Sequence, residues 1–447
     1  MLSLTSRSEA RPARRLPLVA LYTANAVSQT GDMLMLLAVP WFVLQTTGSI
    51  TKTGITAFFS TAAIGLSALF GGAIVDRIGL RRASVASDLA SALCVALVPL
   101  LYLTVGLPFW ALLALVFLAG LLTTPGQTAR SALIPDLAQL ARARLERVTA
   151  ATDSVTRLAR FAGAPLAGVL IAIVGTSNLL FIDAVTFAFS AIVIGTAIPV
   201  RMPVFASGSA QFTEHSNALL PSDGADAVGL DTAERPASAS GYLAGMREGI
   251  TFLWRDRVLR DITIVVFITN LLDAGQAGVL APAFVKQVYG NPVVLGAMVA
   301  AFGGAAFAST LVFGAIGHKL PRRLTFSLCF MIGGASRFFW MVLLAPVPVA
   351  MIISLAICGF FIGPINPLFN TFEYERVPVE LRARVFGTVL AGSMLGLPLG
   401  GLLAGVLAPV LSVEPTMLLF GVIYSVTTLS LLVNPTLRSL NTRPSLA

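Results

Sequence analysis

Charge is what this sequence has least of. Asp, Glu, Lys and Arg make up 11% of its 447 residues, where a soluble globular chain carries about 25%. Lysine is nearly missing, at Lys52, Lys286 and Lys319, and none of the three follows a glycine. The chain therefore has no Gly-x-x-x-x-Gly-Lys-Ser/Thr loop to cradle a phosphate. It also lacks His-Glu-x-x-His, paired Cys-x-x-Cys and Gly-x-Ser-x-Gly, so no enzyme chemistry is expected of it. His215 falls in a polar stretch and His318 between two apolar ones, poor places for a proton relay. Cys94, Cys329 and Cys358 all sit inside apolar runs, too scattered to hold a metal and badly placed for a disulfide, and read as small core residues. No metal and no cofactor is expected.

What fills the chain instead is apolar: 56% hydrophobic residues and a mean hydropathy of +0.86. Two or three soluble domains could not hide that much apolar surface from water. A disordered or disulfide-rich secreted chain is excluded by the same figures. The expectation is an all-α membrane protein that crosses the bilayer many times. A net charge of +9 would suggest nucleic acid in a soluble protein. In a membrane protein Lys and Arg collect in cytoplasmic loops, so no nucleic-acid partner is expected. Arg7, Arg11, Arg14 and Arg15 precede an apolar run too long for a signal peptide, which reads as a retained first span.

A membrane helix needs about 20 mostly apolar residues. Residues 54–75, 89–129, 161–182, 184–200, 287–317, 385–413 and 415–437 carry no charge at all, and 89–129 breaks at Gly106-Leu107-Pro108. With stretches holding a few embedded charges, the pattern predicts twelve helices near 17–45, 53–75, 83–105, 108–132, 147–174, 178–200, 260–286, 293–316, 324–345, 349–373, 384–410 and 416–436. Loops on the N-terminal side hold 24 Lys and Arg, and those on the opposite side only Lys52 and Lys286. That asymmetry puts both termini in the cytoplasm and requires an even number of spans. Arg outnumbers Lys 27 to 3, the bias of a GC-rich bacterial genome, which points to a bacterial plasma membrane.

Residues 202–240 are rich in Ser, Ala, Asp and Pro and read as a cytoplasmic linker. Leu243, Met246, Ile250 and Leu253 then recur at helical spacing beside Trp254 and Arg255, which suits an amphipathic helix at the inner membrane surface. The expected organisation is a six-helix bundle over 1–200, a linker over 201–259 and a second six-helix bundle over 260–447. The halves also align with one another. Pro40, Phe42, Val43, Gln45 and Gly48 match Pro282, Phe284, Val285, Gln287 and Gly290 at one offset. Gly120 and Pro125 match Gly359 and Pro364, and Arg142-Ala143-Arg144 matches Arg382-Ala383-Arg384. Gly163-x-Pro165-x-x-Gly168 matches Gly396-x-Pro398-x-x-Gly401, glycine faces that allow close helix packing. A six-plus-six parallel repeat implies two bundles with a site near midplane between them.

Between the second and third spans stands Gly72-Ala73-Ile74-Val75-Asp76-Arg77-Ile78-Gly79-Leu80-Arg81-Arg82. It resembles the loop signature of the major facilitator superfamily. Gly314-Ala315-Ile316-Gly317-His318-Lys319-Leu320-Pro321-Arg322-Arg323 is a worn second copy, with His318 in place of the acid and Pro321 in place of the second glycine. Ser28-Gln29-Thr30-Gly31-Asp32, Pro135-Asp136-Leu137, Gly163-Ala164-Pro165 and Pro378-Val379-Glu380-Leu381-Arg382 are similar to the drug, macrolide and siderophore exporters of that superfamily. The resemblance implies the major facilitator fold, with the first, fourth, seventh and tenth helices around a cavity. It also implies a loop built on Gly72, Asp76, Arg77, Gly79 and Arg81 that latches the halves when the cavity faces outward. Asp76 could pair with Arg77, Arg81 or Arg130, or rest at a helix N-terminus; the other reading is that these arginines only set topology.

A charge at the bilayer midplane costs about 2.5–3.5 kcal/mol on insertion scales, so each needs a reason. Asp32 lies in the middle of the first helix and Asp273 at nearly the matching place in the seventh. Desolvation disfavours a charged carboxylate and a nearby Arg favours it. A group held between those pressures can take a proton in one conformation and release it in another. Asp153, Arg157 and Arg160 share one face of the fifth helix by their i, i+4, i+7 spacing, and Arg160 is the natural partner for Asp32. The alternative is an ion-pair network that only fastens helices. Asp88 and Asp183 lie near helix ends and read as structural, and Arg337 finds no partner in the sequence. Trp41, Phe42, Phe361, Asn366 and Asn370 are candidate cavity residues, since aromatic surface beside a few amides suits amphipathic or cationic drugs.

An ion gradient suffices as the energy source. One proton crossing about 150 mV yields about 3.4 kcal/mol, enough to hold a solute gradient near 300-fold at about 1.4 kcal/mol per tenfold. The sequence is read as a proton-coupled exporter of amphipathic small molecules working by alternating access, a monomer whose partners are substrate and lipid. Uptake of a sugar- or siderophore-like solute, and a non-transporting scaffold or the permease half of an ATP-driven pump, are the alternatives.

Overall fold

The computed structural model describes residues 15–199, 239–378 and 381–434. Those residues are helical nearly throughout, with no strand among them. The first half holds α1 (Leu16–Thr47), α2 (Ile50–Ile78), α3 (Leu80–Thr104) and α4 (Phe109–Leu140). A helical stretch of 53 residues follows, Leu145–Ala197. At about 1.5 Å per residue it would be about 80 Å long, far more than a bilayer core of about 30 Å. It turns back at Gly175 (φ 80°, ψ 165°), a conformation open to glycine, and so makes two spans, α5 (145–174) and α6 (176–197). The second half holds α8 (Arg257–Val288), α9 (Pro292–Ile316), α10 (Arg322–Leu343), α11 (Pro348–Arg376), α12 (Arg384–Leu411) and α13 (Val413–Val433), preceded by α7 (Ala239–Arg255). Ten helical stretches are long and apolar enough to cross a membrane. Dividing one at Gly175, and adding α2, which is bent near its middle, gives twelve spans in two six-helix bundles.

The internal repeat is visible in the geometry. Gly48 closes α1 at φ 64° and Gly290 follows α8 at φ 62°, the left-handed turn that a helix end takes most easily with glycine. Arg81 at the start of α3 donates to the Gly195 carbonyl near the end of α6. Its counterpart Arg323 at the start of α10 donates to the Leu431, Leu432 and Asn434 carbonyls at the end of α13. In each bundle an arginine thus meets the electronegative C-terminal end of the last helix.

The two glycine motifs also take matching places. Gly163 packs on Met33 and Thr30 of α1, and Gly396 on Phe267 and Leu271 of α8, each within its own bundle. One or two turns on, Gly168 meets Pro292 and Gly296 of α9, and Gly401 meets Ala57 and Gly54 of α2, each across the bundle boundary. These crossings, with Lys286 donating to the Leu44 carbonyl, lie in the part of the molecule away from the basic loops. On the basic-loop side of these crossings Asp153, Arg157 and Arg160 of α5 are exposed, and Arg157 lies over the Phe307 ring of α9.

The apolar stripe predicted beyond the linker does form a helix, α7. Leu253 is buried against Leu259, Val377, Val385 and Val389, so part of that stripe packs on α8 and α12, while Ile250 and Trp254 stay exposed. Glu248 of α7 pairs with Arg384. Residues 202–238 of the linker lie outside the described residues.

Candidate functional site

The first bundle gathers its polar groups on α1. Ser28, Gln29 and Asp32 follow one another along about one turn of that helix, and each meets a different neighbour. Gln127 of α4 donates to Asp32 at 3.0 Å. Arg160 of α5 donates to the Gln29 amide oxygen at 2.9 Å, not to Asp32 as its position on the helix suggested. The amide has taken the place that the sequence assigned to the carboxylate.

Arg130 is a second correction. The sequence places it among possible partners of Asp76 in the loop, but it is 3% exposed and deep in the bundle. It donates to both oxygens of Asp88 at 2.8 Å and reaches Ser28 at 3.3 Å, while Ser190 donates to Asp88 at 2.7 Å. Four helices, α1, α3, α4 and α6, meet on this one ion pair. Arg130 and Arg160 are also the cations whose charge acts on Asp32. Asp183 of α6 packs against Gly31 next to Asp32, held by the Thr186 hydroxyl at 3.2 Å, and one of its oxygens has no partner.

In the second bundle Asp273 pairs with Arg337 of α10, so the cation left without a partner by the sequence has one. Arg337 also stacks over Phe302 at 5.3 Å and Phe338 at 5.1 Å. Wide π-helical turns over Gln276–Leu280 and Cys329–Ala335 lie just beyond the one residue and just before the other. Such turns re-aim side chains and are frequent at functional sites. Helix α11 is interrupted near its middle at Gly363-Pro364, between Pro348–Ile362 and Ile365–Arg376. Discontinuous helices near midplane are where transporters build their binding sites.

Beside that break lies a cavity of about 520 Å³ bordered by α8, α10, α11, α12 and α13. Asp273, Asn366 and Asn370 are on its wall, together with Phe330, Phe369, Phe386, Asn270 and Glu373. Three of the residues proposed for a cavity are elsewhere. Trp41 and Phe42 are 1% and 2% exposed in the core, Phe42 edge-on to Tyr102 at 5.1 Å, and Phe361 packs against the same core. Their apolar bulk serves helix packing. Glu373 was missed because the predicted tenth span, 349–373, ends on it, whereas α11 runs on through Arg376 and carries it on the cavity wall.

Of the loop signature, Asp76 and Arg77 are exposed and make no hydrogen bond or ion pair among the described residues, and Gly72 has open space around it. Gly79 joins α2 to α3 at φ 89°. In the worn copy Arg322 pairs with Glu375 at 2.7 Å. On α5, Asp153 makes no such contact, and Arg157 lies 5.9 Å from the Phe307 ring of the other bundle.

A sequence model of the Major Facilitator Superfamily matches residues 21–387 and 262–445. The chain is 29% identical over 440 residues to the multidrug efflux pump Tap of Mycobacterium tuberculosis (strain ATCC 25618 / H37Rv), covering 97% of each. It is 30% identical over 420 residues to the protein of that name from Mycolicibacterium fortuitum, covering 92% of this chain and 95% of that one. Among solved structures it is similar to the nucleoside transporter NupG, at a TM-score of 0.69 and 11% identity over 93% of this chain and 98% of that one. It is also similar to a POT family transporter in complex with a thioalcohol-conjugated peptide, at a TM-score of 0.63 and 14% identity over 93% and 95%. At those identities the structural likeness speaks to the fold alone. Two bundles of six helices, the loop after α2 and the match of the family model along nearly the whole described length lead to one placement: the chain belongs to the major facilitator superfamily.

Proposed function

We propose that this protein is a proton-driven exporter of amphipathic small molecules, drugs and antibiotics among them, that works by alternating access. Its place is the plasma membrane of a bacterium, as a monomer with both termini in the cytoplasm. The observation that carries the reading is the second bundle's cavity, apolar and aromatic with a few polar groups and two acids, whose wall reaches Glu373 near the end of α11 that leads into the basic stretch 374–384. The 24-to-2 division of Lys and Arg makes that side cytoplasmic, so the cavity collects its solute from inside the cell. The likeness to proteins named as multidrug efflux pumps, over nearly the full length of both chains, supports the same reading.

Asp32 is the leading proton site, since it is the midplane carboxylate that meets an amide rather than an arginine. Asp273, Asp153 and Arg160 are further coupling candidates. Asp76 and Arg77, without partners among the described residues, are taken to close against the second bundle when the cavity turns outward, with Gly72 and Gly79 giving the loop room. The glycines of the two motifs let the bundles seal the far side. No cofactor enters the cycle. Inverted vesicles with an imposed pH gradient test the proton site. Asp32→Asn is expected to abolish gradient-driven accumulation of substrate and to leave substrate binding within about twofold. Full gradient-driven transport by that variant would remove Asp32 from the mechanism, and a wild-type protein that moves no drug would remove export.

One observation favours uptake of a hydroxyl-rich solute, because Asn270, Asn366 and Asn370 all border the cavity. Asn270, however, is tied to the Ser393 carbonyl at 2.9 Å, which leaves two amides to face a solute. Accumulation of a nutrient in energised cells would establish that reading instead.

A further inference from the structure

The polar groups around the Asp273–Arg337 pair are only half satisfied. Arg337 bonds Asp273 through one terminal nitrogen, and its Nε–H has no acceptor among the described residues. One turn further along both helices, Gln276 of α8 reaches Met341 of α10. It spends its amide N–H on the methionine sulfur, a weak acceptor, while its Oε1 atom has no donor among the described residues. Gln276 is 4% exposed, so bulk water does not make up the loss. A donor and an acceptor thus lie unpaired, one turn apart, on facing helices. Buried polar groups left so are costly and uncommon. The backbone on both sides is built to shift. Gln276 opens the wide turn Gln276–Leu280, and the wide turn Cys329–Ala335 ends just before Arg337. Such a turn holds more residues than an α turn, and closing it swings the side chains beyond it by about 100°, the step of one residue. The Phe302 and Phe338 rings, at 5.3 Å and 5.1 Å, flank the guanidinium and can hold it when its carboxylate is lost.

We propose that Arg337 has two partners, Asp273 and Gln276, and that Gln276 is the positioning residue that draws it off Asp273 in the transport cycle. When the wide turns close, the guanidinium donates to Gln276 Oε1 and keeps its own charge against the two rings. The Asp273 carboxylate, left on the cavity wall without a cation, takes one proton from cavity water and becomes a neutral acid. The return of Arg337 releases that proton to water. The other titratable groups on this wall are Glu373 of α11 and Tyr424 of α13, and α12 lines it with none among the described residues. The Cys358 thiol of α11 meets Ser336, the neighbour of Arg337. The assignment rests on the proton-driven reading and names a partner exchange behind it in the second bundle.

The test uses the full chain in inverted vesicles with chloramphenicol as the drug. Dicyclohexylcarbodiimide reacts with protonated carboxyl groups in apolar surroundings, and mass spectrometry of the labelled peptide reads Asp273. Gln276→Met keeps the bulk and removes the acceptor. It is expected to bind the drug within about twofold and to unfold no earlier than the wild type, because a half-satisfied amide has gone. Its labelling at Asp273 is expected to fall about fivefold or more and its gradient-driven transport about tenfold or more, as one state loses its partner. Gln276→Glu offers Arg337 a charged partner and is expected to label at Asp273 about fivefold faster than the wild type. Equal labelling of Asp273 in all three proteins overturns the exchange, and so does full transport by Gln276→Met. A wild-type protein that moves no drug overturns the export reading beneath it, and the labelling contrast still decides the exchange.

Discussion

Replacing Gly296 by Trp is expected to stop transport while leaving a folded protein with its bundles parted at the far end. A Cβ on Gly296 would already lie 2.7 Å from the Ala164 carbonyl oxygen and 3.0 Å from the Gly168 Cα. The pairing is the same at the other crossing, where a Cβ on Gly54 would meet the Gly401 carbonyl oxygen and the Gly405 Cα, each at 2.6 Å. In both cases the obstacle is backbone, so no side chain can turn aside. An indole there forces α5 and α9 apart, which undoes the seal away from the basic loops. Alternating access requires that seal to open once per cycle, so the variant has a folded state to occupy. Overpacking a well-packed contact costs about 1–3 kcal/mol and an indole against backbone costs at least that. The two states of such a protein differ by only a few kcal/mol, so the population moves about tenfold or more. The measurement is alkylation of Ala57→Cys, which lies against Gly278 and Gly401 across the boundary. It is expected to react faster in the Gly296→Trp background while vesicle transport falls to background. The native cysteines are all buried and add little signal. Normal transport by Gly296→Trp would show that this end does not open in the cycle. Lys286→Met, which removes the bond to the Leu44 carbonyl at the same end, is expected to act in the same direction and less strongly.

The twelve spans and the six-plus-six order were legible because a bilayer leaves the backbone few options. Each crossing must be a helix, each needs about 20 apolar residues, and the turns between them show as Gly and Pro. The break at Gly106-Leu107-Pro108 falls between α3 and α4, and Gly175 turns α5 into α6. Side-chain partners were much less legible. A helix that is apolar nearly all round carries little record of which face looks inward. Thus Arg130 read as a loop cation, although the packing of α3 on α4 delivers it to Asp88, 42 residues earlier. Arg337 read as unpaired because Asp273 is 64 residues away on α8. Trp41 and Phe42 read as cavity residues by type alone, and only the crossing of α1 with its neighbours shows them to be core. Glycine spacing did better, because a missing side chain has one use in a helix interior. Gly168 and Gly401 both lie at crossings between the bundles.

Arg130→Met is expected to be the most destabilising single change in the first bundle. It would leave Asp88, 1% exposed, with the Ser190 hydroxyl at 2.7 Å and no cation. Removing one member of a buried ion pair costs about 3–5 kcal/mol, chiefly because the other charge is stranded. Replacing both members by apolar residues of similar volume is often neutral, so Arg130→Met with Asp88→Leu is expected to recover most of the loss. Thermal unfolding in detergent reads both steps, as a large fall in midpoint and then its return. Transport separates fold from function at the same positions. Gln127, which binds Asp32, is one helical turn from Arg130 on α4, so the Arg130–Asp88 pair stands close to the proton site. If the ion pair tunes the proton site, the stable double variant will fold and bind drug yet lose gradient-driven transport by about tenfold or more, since a charge near a buried carboxylate changes its proton affinity. If the double variant transports as well as the wild type, the pair is a fastener among four helices and takes no part in proton coupling.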